Sequence, residues 1–140
     1  MHDLLIKNGR LIDPAQSLDA PRDIAFDGTQ VAAVADTIDD ARANETLDAQ
    51  DLLVVPGLID LHVHVFDAVS HYGIPPDPTC LQRGVTTALD AGSAGAAVWP
   101  GFRKFIIEAS ETRLYAMLNI SRIGLVTGAE LDPPIGELED

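Results

Sequence analysis

The sequence predicts a small all-β module followed by an α/β segment with parallel strands. Three observations carry this. Turn dipeptides separate short aliphatic runs in the N-terminal part of the chain. The pattern changes after Pro56-Gly57. Beyond that point, near-continuous apolar runs alternate with stretches of helical spacing, as strands buried on both faces do in parallel sheets. The boundary separates a module at 1–55 from a segment at 56–140.

In the module, Leu4 to Lys7 and Arg10 to Ile12 flank Asn8-Gly9, while Asp23 to Phe26 and Gln30 to Val34 flank Asp27-Gly28-Thr29. Asn-Gly and Asp-Gly tolerate positive φ at tight turns, so two hairpins are expected. Leu47 to Val55 adds further β character. An antiparallel module of this size is too thin to stand alone.

After Pro56-Gly57, Leu58 to Phe66 reads as a strand and Asp67 to Pro78 as a loop with several prolines. A short helix is expected over Thr79 to Arg83, closed by Gly84. Val85 to Leu89 forms a second strand, and Asp90 to Gly95 a glycine-rich loop. A helix then runs to about Ser110. Pro100 suits its first turn, where the missing N–H costs nothing, and Phe102, Phe105, Ile106 and Ala109 recur at helical spacing. Leu114 to Ile120 is a third strand, and Ser121 onward is loop with a turn of helix near the end. Parallel strands joined in this way imply right-handed crossovers.

A chain of 140 residues holds one ordinary domain, or a small domain plus part of a larger one. Hydrophobic residues make up 46% of it, enough for a core. No apolar run approaches the ~20 residues of a membrane helix. The N-terminus lacks the basic, apolar and small-residue succession of a secretory signal. Cys80 is the single cysteine, which excludes an internal disulfide and fits a reducing cytoplasm. The net charge of −13, from 22 acidic and 9 basic residues, disfavours nucleic acid and anionic membrane as partners. Lys7 and Lys104 are the only lysines. Such a surface resembles that of proteins from high-salt cytoplasm, although an ordinary acidic protein accounts for it equally.

The stretch Val54 to Val65, VVPGLIDLHVHV, places an aspartate and two histidines on a strand that is otherwise apolar. Strict alternation puts Leu58, Asp60, His62, His64 and Phe66 on one face, and Ile59, Leu61, Val63 and Val65 on the other. The aliphatic face suits packing under helices. The polar face needs a partner, because a buried unpaired polar group costs on the order of several kcal/mol. Two imidazoles at this spacing can converge on one divalent cation, and nitrogen ligands suit zinc or a similar transition metal. Asp60 then serves as an outer acceptor or fixes loop geometry. A hydrogen-bonded pair of core histidines is the alternative.

This stretch resembles the first barrel strand of the amidohydrolase superfamily, with its pattern Pro-Gly-x-Ile-Asp-x-His-x-His. LLIKNGRLIDP and DIAFDGTQVAAV are similar to the β-sandwich opening of its dihydroorotase-like branch. HYGIPPDPTCLQRGVTTALDAGSAGA and LYAMLNISRIGLV resemble the amidohydrolase/deacetylase branch. The likeness runs to about Leu131. It implies a β-sandwich part followed by the first three β/α units of a TIM barrel. It also implies one or two divalent ions, zinc above all, with His62 and His64 as ligands at the C-terminal mouth of the strands. The reaction implied is attack of metal-activated water on the amide or ester carbonyl of a small acyl compound. Asp90, Gly92 and Ser93 follow the second strand at that mouth, and Asn119 and Ser121 end the third. Asp90, Ser93 and Asn119 are therefore candidate substrate contacts, and His71 is a weaker one.

Two departures limit what carries over. Dihydroorotases of this type have an arginine two positions after the second histidine, where it grips the substrate carboxylate. Here that residue is Phe66, which cannot form a bidentate ion pair, so an N-acyl or O-acetyl compound or another cyclic amide is the expected substrate. A whole barrel needs about 250 residues. The bridging lysine, the later histidines and the catalytic aspartate of the family have no counterpart in this sequence. The expectation is therefore the N-terminal part of a larger hydrolase, inactive alone. It would be completed by the remainder of the barrel or by a second copy. An inactive fragment acting as a weak metal-binding or interaction module is the competing reading. A cupin-like barrel is disfavoured by the helical spacing from Phe102 to Ala109.

Overall fold

The computed structural model describes residues 1–126. The chain divides into two compact units, one spanning Met1–Pro56 and the other starting at Gly57. Among the described residues, no helix is long and apolar enough to cross a membrane.

The first unit holds two sheets. One has the order β5-β4-β1-β6, from Gln30–Ala35, Asp23–Asp27, His2–Lys7 and Ala43–Asp48. The other has the order β3-β2-β7, from Leu18–Pro21, Arg10–Asp13 and Leu53–Val54. The hairpin expected at Asp27-Gly28 joins β4 and β5, with Asp27 opposite Gln30 and Gly28 at φ 57°. The hairpin expected at Asn8-Gly9 does not form. Strand β1 pairs with β4 and β6, whereas β2 pairs with β3 and β7, so this turn carries the chain from one sheet to the other. Asn8 adopts the left-handed conformation that the dipeptide favours, at φ 63°. Its N–H donates to Asp23 and its side-chain amide to Asp48 Oδ1 at 2.8 Å. The turn chemistry was legible; its destination was set by long-range pairing. Leu5, Ala25 and Ile38 form the core of the larger sheet.

The second unit contains a three-stranded sheet of order β10-β9-β8, from Arg113–Ala116, Val85–Asp90 and Leu58–Val63. Both pairings are parallel, as expected. Helix α1 spans Pro76–Thr79 and passes into a 3-10 turn at Leu81–Arg83, so it starts earlier than Thr79. Pro76 accounts for the early start, since proline is preset for the first turn. Gly84 ends the segment at φ 83°. Helix α2 spans Trp99–Phe102 and continues as a π-helical stretch, Arg103–Ile107, in which Glu108 N–H donates to Arg103 O at 2.9 Å. The third strand ends at Ala116 rather than Ile120, because Asn119 leaves the ladder to bridge Gly95. The turn of helix expected near the C-terminus lies outside the described residues.

The core of this unit gathers Val63, Val65, Phe66, Cys80, Ala88, Ala94 and Phe102 on the helix side of the sheet. Phe66 meets the Phe102 ring edge-on, with centroids 4.9 Å apart. Asp77 ties α1 to the start of β10, accepting from the Thr112 hydroxyl at 2.7 Å and from the N–H groups of Thr112 and Glu111 at 2.8 and 3.1 Å. Burial alone would push the Asp77 carboxyl up, but these three donors together hold it below its usual range.

Strand β8 departs from strict alternation. β9 first carries one extra residue, with Leu58 opposite Val85 and Ile59 opposite Thr87; β8 then carries one, with Asp60 opposite Ala88 and Val63 opposite Asp90. This is a β-bulge, and it shifts the phase of every side chain beyond it. Before the bulge, Asp60 shares the face of Ala88, the helix side. After it, Val63 takes that face and joins the core. His62 and His64 therefore do not share a face with Asp60, contrary to the simple alternation. The aliphatic set is split as well. Val63 and Val65 are buried, but Ile59 and Leu61 are 66% and 71% exposed and line an open groove with Thr87, Leu89, Arg113 and Tyr115.

Candidate functional site

The site is built where the three strands end. The imidazoles of His62 and His64 lie edge to face with ring centroids 5.3 Å apart. His62 is exposed and His64 half-buried. The bulge turns both away from the apolar helix side, so neither ring bears the cost of an apolar burial.

The loop after β8 folds back onto this strand end. Ile74 N–H donates to His64 O at 2.9 Å, and Ser70 N–H to Phe66 O at 2.8 Å. Gly73 lies against the Phe66 carbonyl so closely that a Cβ would sit 2.2 Å from its oxygen, which requires glycine there. The fold-back brings the Tyr72 ring to 5.9 Å from that of His64, and His71 packs on the outer side of Tyr72 with centroids 5.0 Å apart. Sequence reasoning passed over Tyr72, since no local signal brings it back to the strand.

Asp90 is fully buried at the end of β9. Its Oδ2 accepts from Val65 N–H at 2.8 Å, and its Oδ1 from Gly92 and Ser93 N–H at 3.1 and 2.6 Å. The carboxylate thus clamps the strand next to His64 and the turn that carries Ser93. Expected as a substrate contact, it faces backbone instead. Ser93 is also fully buried, and its hydroxyl shares a 3.1 Å hydrogen bond with His64 Nδ1. Asn119 is turned inward too. Its Nδ2 donates to Gly92 O at 2.8 Å and its Oδ1 accepts from Ser121 N–H at 2.9 Å. These three residues shape the frame behind the histidines. Gly95 completes it, lying so near Ser121 O that a side chain would collide.

Asp60 Oδ1 accepts from His62 N–H at 3.0 Å, bracing the bulge from the same strand. Its charge lies near Cys80, whose thiol is pushed up first by burial and then by Asp60 and Asp77. Asp60 therefore touches the backbone of His62, not an imidazole.

Two imidazoles, one with its Nδ1 already engaged by a hydroxyl, are a donor set that fits a divalent transition metal through the remaining ring nitrogens. Among the described residues, no group of three or more His, Cys, Asp or Glu side chains gathers around one point. The histidines would thus supply two ligands of a tetrahedral shell.

No family model matches the chain. A deacetylase of Agrobacterium fabrum is 39% identical over 117 residues, covering 84% of this chain and 28% of the relative. A deacetylase of Brucella anthropi is 38% identical over 139 residues, covering 99% of this chain and 29% of the relative. A crystal structure of a dihydroorotase superposes with a TM-score of 0.83 at 33% identity, over 97% of this chain and 36% of that one. The chain spans less than a third of the length of these two curated relatives. With this sequence likeness and this shared fold, the chain belongs to the amidohydrolase superfamily and corresponds to the N-terminal part of its longer members.

Proposed function

We propose that the chain forms the opening part of a metal-dependent hydrolase acting on the amide or ester carbonyl of a small acyl compound, with His62 and His64 as two of the metal ligands. The first unit would then belong to a β-sandwich and the second would open a (β/α)₈ barrel. The observation that carries this reading is the placement of both imidazoles, 5.3 Å apart, away from the packed helix side at the C-terminal ends of parallel strands. Strand ends of that kind are where such barrels assemble their sites.

When bound, a divalent ion polarises the substrate carbonyl and lowers the pKa of its water. The residues of this chain bind and orient. His62 and His64 present ring nitrogens, Ser93 holds one of those rings, and Asp90 fixes the backbone of Ser93 and of Val65, the residue after His64. Tyr72, half exposed beside His64, offers a wall against which an acyl group can lie. Phe66 is buried against Phe102 and presents no cation to a substrate carboxylate. This favours N-acyl or O-acetyl substrates over dihydroorotate.

The test is zinc stoichiometry after equilibrium dialysis, together with hydrolysis of N-acetyl and O-acetyl compounds by the complete protein. His62→Ala and His64→Ala are each expected to lose the bound zinc and the activity while circular dichroism stays unchanged. Zinc retained at the original stoichiometry in both variants would overturn the assignment.

A further inference from the structure

We infer that Ser93 is a positioning residue for His64: its hydroxyl accepts the Nδ1 proton, fixes that tautomer, and leaves the Nε2 lone pair as the nitrogen offered to a cation. This rests on the metal reading above and adds to it the residue that selects the ligating atom.

The serine is placed for this role and for little else. It is fully buried, so its hydroxyl cannot act at the surface, and its side-chain contact is His64 Nδ1 at 3.1 Å. Its backbone is tied on both sides, by its N–H to Asp90 Oδ1 at 2.6 Å and by its carbonyl to Leu125 N–H at 3.0 Å. Gly124 adopts φ 65° and lies too close to the Ser93 carbonyl to carry a side chain, so the segment from Ser121 to Leu125 seals the turn from outside. The histidine is tied equally well. Its carbonyl accepts from Ile74 N–H at 2.9 Å, and Val65 N–H, one residue on, reaches Asp90 Oδ2 at 2.8 Å. One buried carboxylate therefore sets the distance between the hydroxyl and the ring. The two ring nitrogens are distinct, and the bond made by one decides which the metal receives.

The experiment uses the complete protein with and without Zn²⁺, reading the His64 ring by two-bond ¹H–¹⁵N correlation, with His64→Gln for assignment. The metal-free chain is expected to show one tautomer, protonated at Nδ1. Zinc is expected to shift Nε2. Ser93→Ala is expected to lose the single tautomer and to weaken zinc binding about 10- to 100-fold in chelator competition, and Ser93→Thr to restore both. A metal-free ring protonated at Nε2, or Ser93→Ala with unchanged tautomer and affinity, would overturn the inference. The tautomer is read in the unmodified protein, so poor folding of a variant cannot mask the answer. If the complete protein takes up no zinc yet its His64 shows the Nδ1–H tautomer, the metal reading fails while the effect of Ser93 on the ring stands.

Discussion

Asp23 in the first unit and Asp90 in the second are both buried carboxylates, at 3% and 0% exposure, yet they do different work. Asp23 accepts from Asn8 N–H at 3.1 Å and Ile38 N–H at 2.8 Å, and Lys7 Nζ stands 3.9 Å away. Lys7 is itself held by Asp40 and by the Ile38 carbonyl. The charge of Asp23 is thus shared with an ammonium, and what it secures is the turn where the chain changes sheets. Asp90 satisfies itself on three backbone N–H groups, and what it secures is the pair of residues around one imidazole. A buried carboxylate with a cation nearby can serve architecture. Asp90, held by backbone N–H groups, fixes the strand end that carries His64.

Three measurements can break or sharpen that contrast. Asp90→Ala strands three buried donors and is expected to cost on the order of 3 kcal/mol, read as lost urea stability by Trp99 fluorescence. Amide exchange should speed up at Val65, Gly92 and Ser93. Asp23→Ala strands two donors and is expected to cost about 2 kcal/mol, with faster exchange at Asn8 and Ile38. If exchange at the Asp23 partners rose more than at the Asp90 partners, the difference drawn here would be wrong. The smallest effect concerns Asp77, whose carboxyl lies below the usual carboxylate range in the folded chain because three donors from Thr112 and Glu111 outweigh its burial. A depressed carboxyl contributes stability above its unfolded pKa and loses it as pH falls through the folded value. Asp77→Asn is therefore expected to lose less urea stability than the unmodified chain between about pH 5 and about pH 2. Parallel losses in the two proteins would show that its hydrogen bonds do not depend on its charge.

What the sequence disclosed was local. Asp27-Gly28 marked its hairpin because the turn and the two strands it joins are contiguous. His62 and His64 were legible as a pair because two residues apart on one strand is a short-range fact. Asn8-Gly9 misled because a left-handed residue says that the chain turns, not which strand it meets next. Strand β3 escaped notice for a similar reason, and the β character read over Leu47 to Val55 caught only the end of β6 together with β7. β3 ends in Pro21, and β6 draws its pairing from β1 across the unit. Ser93 lies 29 residues from His64, so its hydrogen bond could not be read from spacing, and Asp90 looked like any loop carboxylate. Asp60 was assigned to the wrong face because the alternation rule assumes an unbroken register, whereas β8 takes three steps from Asp60 to Val63 where β9 takes two from Ala88 to Asp90.

The surplus position between Asp60 and Val63 makes the local residue count there a determinant in its own right. Excising Leu61 would turn the downstream ribbon over and drive both imidazoles into the oily interior around Phe102. Such a deletion could spare every chemically active group and still invert the strand's output.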